Sequence, residues 1–238
     1  MTDTSLENRV AIVTGASSGV GEATVRALAR AGAGVTAVAR SVEGMAGLAG
    51  EGAVEIVGAD VRSLADMELA AQATLDRFGR IDTIVANAGI GEYADFLDQT
   101  PESARDIVET NFLGTVWSIR AALPHLLAAG RGDIVVVSSV AAVMDSAGEA
   151  VYAATKAAQK SLAGCLDLEL RQHNIRVTTL CPGGIRTRFA IGRGREEGSA
   201  EMDTMLDAED VAAAILTVLT QPATVRTTVW GMSHLAEE

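Results

Sequence analysis

The sequence predicts an α/β fold, a parallel sheet with helices on both faces. Two observations carry this. Short runs rich in β-branched residues alternate along the whole chain with longer Ala-rich stretches. Those runs are apolar almost without a break, as strands buried on both faces must be. With 48% hydrophobic residues in 238, the chain can bury a large core.

Seven runs read as strands: residues 9–14, 34–39, 54–57, 82–86, 133–138, 176–180 and 227–230. The first helix spans about 19–31 and stops at Gly32, a glycine just past a helix end. Ser63 to Asp66 reads as a capping box opening a helix that ends near Gly79. Thr100 as cap and Pro101 at the first helical position begin a helix reaching about residue 128. Another runs from about 150 to 173, and Asp207 caps a last one toward Leu219. With no repeat, low-complexity segment or Pro/Ser linker, the chain reads as one domain, 1–238. Residues 191–205, rich in Gly, Glu and Arg with little periodicity, mark an excursion placed at 186–206. It reads as a lid over a site or as an inert surface loop.

Composition narrows the function. The net charge is −12 and no Lys/Arg block reaches the density of a polyanion-binding patch, so nucleic acid is excluded as a partner. The first ten residues hold no apolar signal core, and no uninterrupted apolar run reaches the ~18 residues of a membrane span. Cys165 and Cys181 lack metal or redox spacing and read as buried reduced thiols; His125, His173 and His234 have no mutual metal spacing. The expectation is a soluble cytoplasmic protein without a metal, acting on small molecules.

The first strand runs directly into Thr14-Gly-Ala-Ser-Ser-Gly-Val-Gly21 and then a helix. Glycines at 15, 19 and 21 permit a tight turn and a close ligand, and the helix start offers unpaired N–H groups. Gly15, Ser17, Ser18, Gly19, Val20 and Gly21 therefore form a cradle suited to a pyrophosphate. The chain has only two Tyr and two Lys, and Tyr152 and Lys156 stand four apart, on one helix face. An ammonium beside a phenol lowers its pKa from near 10 toward the range useful for proton transfer.

The turn has the spacing Gly-x-x-x-Gly-x-Gly, and here the chain resembles the short-chain dehydrogenase/reductase family. Asp60-Val61 follows the third strand, Asn87-Ala88-Gly89 ends the fourth, and Pro182-Gly183 follows the sixth, with Ile185 and Thr187 just after. Ser139 lies thirteen residues before Tyr152. The resemblance covers essentially the whole chain. It implies a doubly wound Rossmann domain with strand order 3-2-1-4-5-6-7, and hydride transfer between a nicotinamide cofactor and a carbonyl/alcohol pair. Tyr152 is then proton donor or acceptor, helped by Lys156 and the positive nicotinamide ring. Ser139 holds the substrate oxygen. Asn111, in Asn111-Phe-Leu-Gly114, holds a water that links Lys156 to solvent. Asp60, Val61, Asn87, Ala88, Gly89, Pro182, Gly183, Ile185 and Thr187 join the glycine turn, Tyr152 and Lys156 around the cofactor. Members commonly form homodimers or homotetramers through the two long helices.

The second strand ends at Ala39-Arg40, where a carboxylate would hold a free ribose 2′-OH. Arg40 suits a 2′-phosphate instead, with Ser41 as a further contact. The expected cofactor is NADP(H), with NAD(H) as the alternative, although Ser18 stands where many NADP-type members carry a second base. The substrate walls are placed at 89–95, 140–147 and 184–205, with Tyr93, Val140, Met144 and Gly184 as contacts. Arg186, Arg188, Arg193 and Arg195 read either as a solvated cluster or as contacts to phosphate or an acidic substrate, and Lys160 as a solvated charge. The closing segment 207–238 loosely resembles that of members acting on small hydroxy acids or on secondary-metabolite aldehydes and ketones. A second functional class, an NADP(H)-binding sensor without turnover, would be favoured by a missing Ser139, Tyr152 or Lys156; all three are present.

Overall fold

A computed structural model describes residues 5–236. Residues 1–4 and 237–238, the outer parts of the polar opening stretch and of the closing segment, lie outside the described residues. One seven-stranded sheet organises the molecule. Its strands are β1 (Val10–Thr14), β2 (Gly34–Ala39), β3 (Val54–Gly58), β4 (Thr83–Ala86), β5 (Gly132–Val137), β6 (Ile175–Pro182) and β7 (Val229–Met232). They lie in the order β3-β2-β1-β4-β5-β6-β7, and every neighbouring pair is parallel. The order reverses between β1 and β4, and a crevice opens there beyond the carboxyl ends of the strands.

The helices cover both faces: α1 (Gly19–Arg30), α2 (Leu64–Phe78), α3 (Pro101–Ile107), α4 (Gly114–Ala129), α5 (Ala150–Leu170) and α6 (Ala208–Leu219). Every residue of β1, β4 and β5 is buried, which explains their unbroken apolar character. On one face Val25 and Leu28 of α1 meet Val211 and Ile215 of α6 above β1 and β2. On the other, Met67, Ile119, Leu126 and Ala163 pack over Ile84 and Ile134.

Most boundaries follow the sequence reading, and the departures have local causes. Gly79 closes α2 with φ 75°. Ser63 caps that helix by accepting from Asp66 N at 3.2 Å, but the reciprocal arm of the box is redirected: Asp66 accepts from Asp60 N at 3.0 Å. α3 and α4 are one rod joined by a π-helical turn, Val108–Leu113, which apolar periodicity does not announce. By length and composition the rod Pro101–Ala129 is apolar enough to cross a membrane, although no uninterrupted apolar run is that long. Its Ile107, Ile119, Ala122 and Leu126 are core residues, which accounts for that composition. β7 sits two residues later than the pattern suggested, because its register is set by pairing Thr179–Pro182 of β6 with Val229–Met232. Cys181 is buried in β6, whereas Cys165 is exposed on the outward side of α5, so the expectation of two buried thiols is corrected.

Candidate active site

A cleft of about 590 Å³ lies over the carboxyl ends of the strands. Its floor is set by Thr14, the last residue of β1. The Thr14 hydroxyl accepts from the backbone N–H groups of Asn87 and Ala88, each at 3.1 Å, and Asn87 Nδ2 donates to Thr14 O at 2.9 Å. These bonds tie the end of β1 to the end of β4. The chain then turns through Gly15 at φ 69°. Gly21 must lack a side chain, because a Cβ there would lie 2.2 Å from Gly15 O and 2.7 Å from Asn87 Nδ2. Ser18, the cap of α1, makes no side-chain capping bond. The helix start therefore keeps its positive end for whatever enters the cleft.

Ser17, Ser18, Gly19, Val20, Arg40, Asp60, Val61, Ala88 and Gly89 line one wing. Arg40 is exposed and, among the described residues, has no ion pair. Asp60 is neutralised by Arg62, with Nη2 to Oδ2 at 2.7 Å. The hydrogen bond from Arg62 is the main reason that the Asp60 carboxyl is held below its ordinary range. Ser41 already bonds Gly44 N at 3.1 Å and Glu43 at 3.2 Å. A carboxylate thus stands three residues beyond Arg40, a neighbour the sequence reading did not weigh.

The chemical groups meet at the centre. Ser139 follows β5, accepts from Ala141 N at 3.2 Å and donates to Pro182 O at 3.4 Å. Tyr152 and Lys156 project from α5, and the Lys156 ammonium lies 5.6 Å from the Tyr152 ring centre. Lys156 Nζ donates to Val137 O at 2.9 Å. Burial lowers Lys156 from 10.5 to about 8. Burial also pushes Tyr152 up, opposed chiefly by its hydrogen bond with Ser139. The sequence reading expected the neighbouring ammonium to bring the phenol down. In the folded protein desolvation raises the phenol, and the groups that oppose it are Ser139 and Arg195 rather than Lys156, so Tyr152 holds its proton at neutral pH. Lys160 is half-buried rather than fully solvated.

Asn111 is fully buried in the π turn. Its Oδ1 accepts from Ile90 N at 2.8 Å, and its Nδ2 donates to Ile90 O at 2.9 Å and to Thr155 Oγ1 at 3.1 Å. Its carbonyl accepts from Gln159 Nε2 at 2.8 Å and from the Thr115 hydroxyl at 2.7 Å. Asn111 therefore clamps the loop after β4 onto α5, and Gln159, unnoticed in the sequence, occupies its carbonyl. Gln159 stands three residues after Lys156 on the same helix, a spacing that could have singled it out.

The remaining wall comes from the segment after β6. Tyr93 N donates to Arg193 O at 2.9 Å, and the Arg195 guanidinium lies 5.6 Å from the Tyr93 ring centre. Phe189 tilts against Tyr152 with centroids 5.5 Å apart. Tyr93, Gly184, Ile185 and Thr187 line the cleft with Pro182 and Gly183, but Val140 and Met144 do not. Met144 is 64% exposed, because the short turn after Ser139 directs only Ala141 inward. Glu149 lines the cleft and was missed, whereas Phe189 lines it within the predicted wall 184–205 without having been singled out. Glu149 lies one helical turn before Tyr152, which was the available signal. Among the described residues no cluster of His, Cys, Asp and Glu could hold a metal ion.

The short chain dehydrogenase family pattern matches residues 9–198. An uncharacterised oxidoreductase of Staphylococcus haemolyticus is 36% identical over 225 residues, covering 93% of this chain and 95% of its own. Among solved structures, the 3-ketoacyl-(acyl-carrier-protein) reductase from Brucella melitensis complexed with NADH is similar at TM-score 0.89 and 31% identity, over 97% of this chain and 99% of that one. The closed form of serine dehydrogenase complexed with NADP+ gives TM-score 0.91 at 29% identity, over 96% of each chain. The chain belongs to the short-chain dehydrogenase/reductase family and is an oxidoreductase with a nucleotide-binding Rossmann fold.

Proposed function

We propose that this protein reduces a carbonyl compound, or oxidises the matching alcohol, with NADP(H). The observation that carries the reading is the convergence of Ser139, Tyr152 and Lys156 beside the glycine turn, in one cleft. The cleft fits a dinucleotide: Gly15, Ser17, Ser18, Gly19 and Val20 line it at an uncapped helix start, and Gly21, which does not line it, lets that turn pack closely on Gly15 and Asn87. The bound nicotinamide supplies or accepts the hydride. Ser139 holds the substrate oxygen by hydrogen bonding. Tyr152, protonated at rest, gives its proton to that oxygen as negative charge develops. Lys156 stabilises the resulting phenolate, and its lowered pKa suits passing a proton onward at neutral pH.

The NADP preference rests on charge. At the end of β2 Arg40 is the cation without an ion pair among the described residues, while the nearby Asp60 is neutralised by Arg62. A 2′-phosphate would complete that balance. Asn87, Ala88, Gly89, Pro182, Gly183, Ile185 and Thr187 would hold the nicotinamide half. Asn111 is assigned a positioning role through Ile90 and Thr155. Residues 186–206 serve as the substrate lid. The chain is also proposed to be a cytoplasmic homodimer or homotetramer; in support, Val108 and Phe112 line an apolar groove with Ala154 and Ala158 of α5.

The test is NADPH consumption over a panel of ketones and aldehydes, with Tyr152→Phe alongside. Turnover on an accepted carbonyl should fall by about 10²–10⁴-fold in the variant while NADPH binding stays intact. Binding without turnover by the native protein would favour a sensor instead.

A further inference from the structure

Glu149 is a second acid at the reacting end of the cleft, and nothing in the proposed mechanism uses it. It sits just before α5, three residues ahead of Tyr152, and its half-buried side chain lines the cleft. Its backbone is held from both sides. Glu149 O accepts from Ala153 N at 2.8 Å, and the adjacent Gly148 O accepts from Ala94 N at 2.8 Å, on the loop that carries Tyr93. The carboxylate itself has neither a hydrogen bond nor an ion pair among the described residues. Its charge is nevertheless felt at the site: it raises the pKa of both Tyr93 and Tyr152.

The cations of this cleft do not answer it. Arg195 donates to Ile185 O at 3.3 Å, to Phe189 O at 3.4 Å and to the Tyr93 hydroxyl at 3.3 Å, which engages it in holding the lid. Arg188 and Arg193 are exposed at the rim. A half-buried carboxylate without a partner is unfavourable, and a ligand cation beside it would relieve the cost.

We infer that Glu149 is a specificity-determining residue that receives the ammonium group of the substrate, so that the preferred carbonyl compound is an α-amino ketone and its product a vicinal amino alcohol. This rests on the reductase reading above and names its substrate class. In the reductive step, hydride from the reduced nicotinamide forms the new C–H bond at the carbonyl carbon. The C=O π pair takes the proton of Tyr152, and solvent restores that proton. The ammonium keeps its protons and serves only in binding.

The experiment compares three three-carbon ketones with NADPH: aminoacetone, hydroxyacetone and pyruvate, which present a cation, a neutral hydroxyl and an anion. For the native protein kcat/KM on aminoacetone should exceed that on hydroxyacetone at least tenfold, with pyruvate lowest. Glu149→Gln should reduce the aminoacetone-to-hydroxyacetone ratio to within about twofold, the change expected when one charge-assisted contact is lost. Glu149→Asp, which keeps the charge on a shorter arm, should give an intermediate ratio and serves if the Gln variant does not fold. Native turnover of hydroxyacetone or pyruvate as good as that of aminoacetone, or a ratio unmoved by the substitutions, overturns the inference and leaves the reductase reading standing. No turnover of any of the three despite intact NADPH binding overturns the inference, and the reductase reading falls with it only if the broader panel of ketones and aldehydes is also left untouched.

Discussion

Two glycines show how differently the halves of the cleft are built. A Cβ on Gly21 would lie 2.2 Å from Gly15 O, and a Cβ on Gly194 would lie 2.2 Å from Tyr93 O. The clashes are equally short, but their settings differ. Gly21 lies in the first turn of α1, beyond a fully buried β1 whose Thr14 is cross-linked to Asn87 at the end of β4. Gly194 lies in a surface segment held on Tyr93 by the backbone bond at Arg193 and by Arg195. The nucleotide half is therefore braced by the buried sheet, whereas the substrate wall rests on a few contacts at the surface. A rigid cradle beside a compliant wall suits one constant ligand and one that must enter and leave.

The largest effect expected from breaking this contrast is at the cradle. Gly21→Ala should weaken NADPH binding by at least about 100-fold, roughly 2.7 kcal/mol, as read by fluorescence titration. Undiminished binding would show that the turn can relax after all. Lys156→Met should abolish turnover yet make the protein more stable at pH 7. Because the pKa falls from 10.5 to about 8, the unfolded chain binds more protons between those values. Stability of the native protein should therefore rise with pH across that window, and a cost of about 3 kcal/mol should be fully present below it. The melting-temperature advantage of the variant should shrink from pH 8 to pH 10. Tyr152, raised instead, enters with the opposite sign only above pH 10. Arg40→Ala should weaken NADPH binding by about 10-fold with little change for NADH, since a single exposed charge-assisted contact is lost. Equal affinities for the two cofactors before mutation would refute its role. Gly194→Ala should have the smallest effect: KM for the carbonyl compound rises a few-fold while NADPH affinity stays put. A fall in cofactor affinity there would show that the two halves are coupled.

The same contrast explains how much the sequence revealed. The glycine turn, the Tyr152–Lys156 pair and the strand order are local or repetitive signals, because backbone geometry and helix spacing require particular residues there. The substrate wall depends on contacts between distant segments, such as Tyr93 with Arg193, and no local pattern announces them. Hence Val140 and Met144 were placed in the wall by proximity to Ser139, while Glu149 went unseen and Phe189 was covered only as part of the stretch 184–205. The direction of the Tyr152 shift was misjudged for a related reason: spacing reveals a neighbouring ammonium, but burial emerges only from the assembled fold. Gln159 belongs to the same group, since its partner Asn111 lies on another helix.

The π turn at Val108–Leu113 acts as a single-residue phase adjuster. It holds one residue more than an α-helix of the same span, so that Ile107 before it and Ile119 after it both face the core, and deleting one residue inside it would leave an uninterrupted α-helix with both flanks in their present phase. A deletion in the regular turns of α4 would instead rotate everything before it by about 100° and take Ile107 out of the core. A one-residue deletion should therefore disturb the packing of the rod less in these six residues than in the α-helical turns on either side. Here the spacing of the chain, more than its chemistry, is what selection would have to preserve.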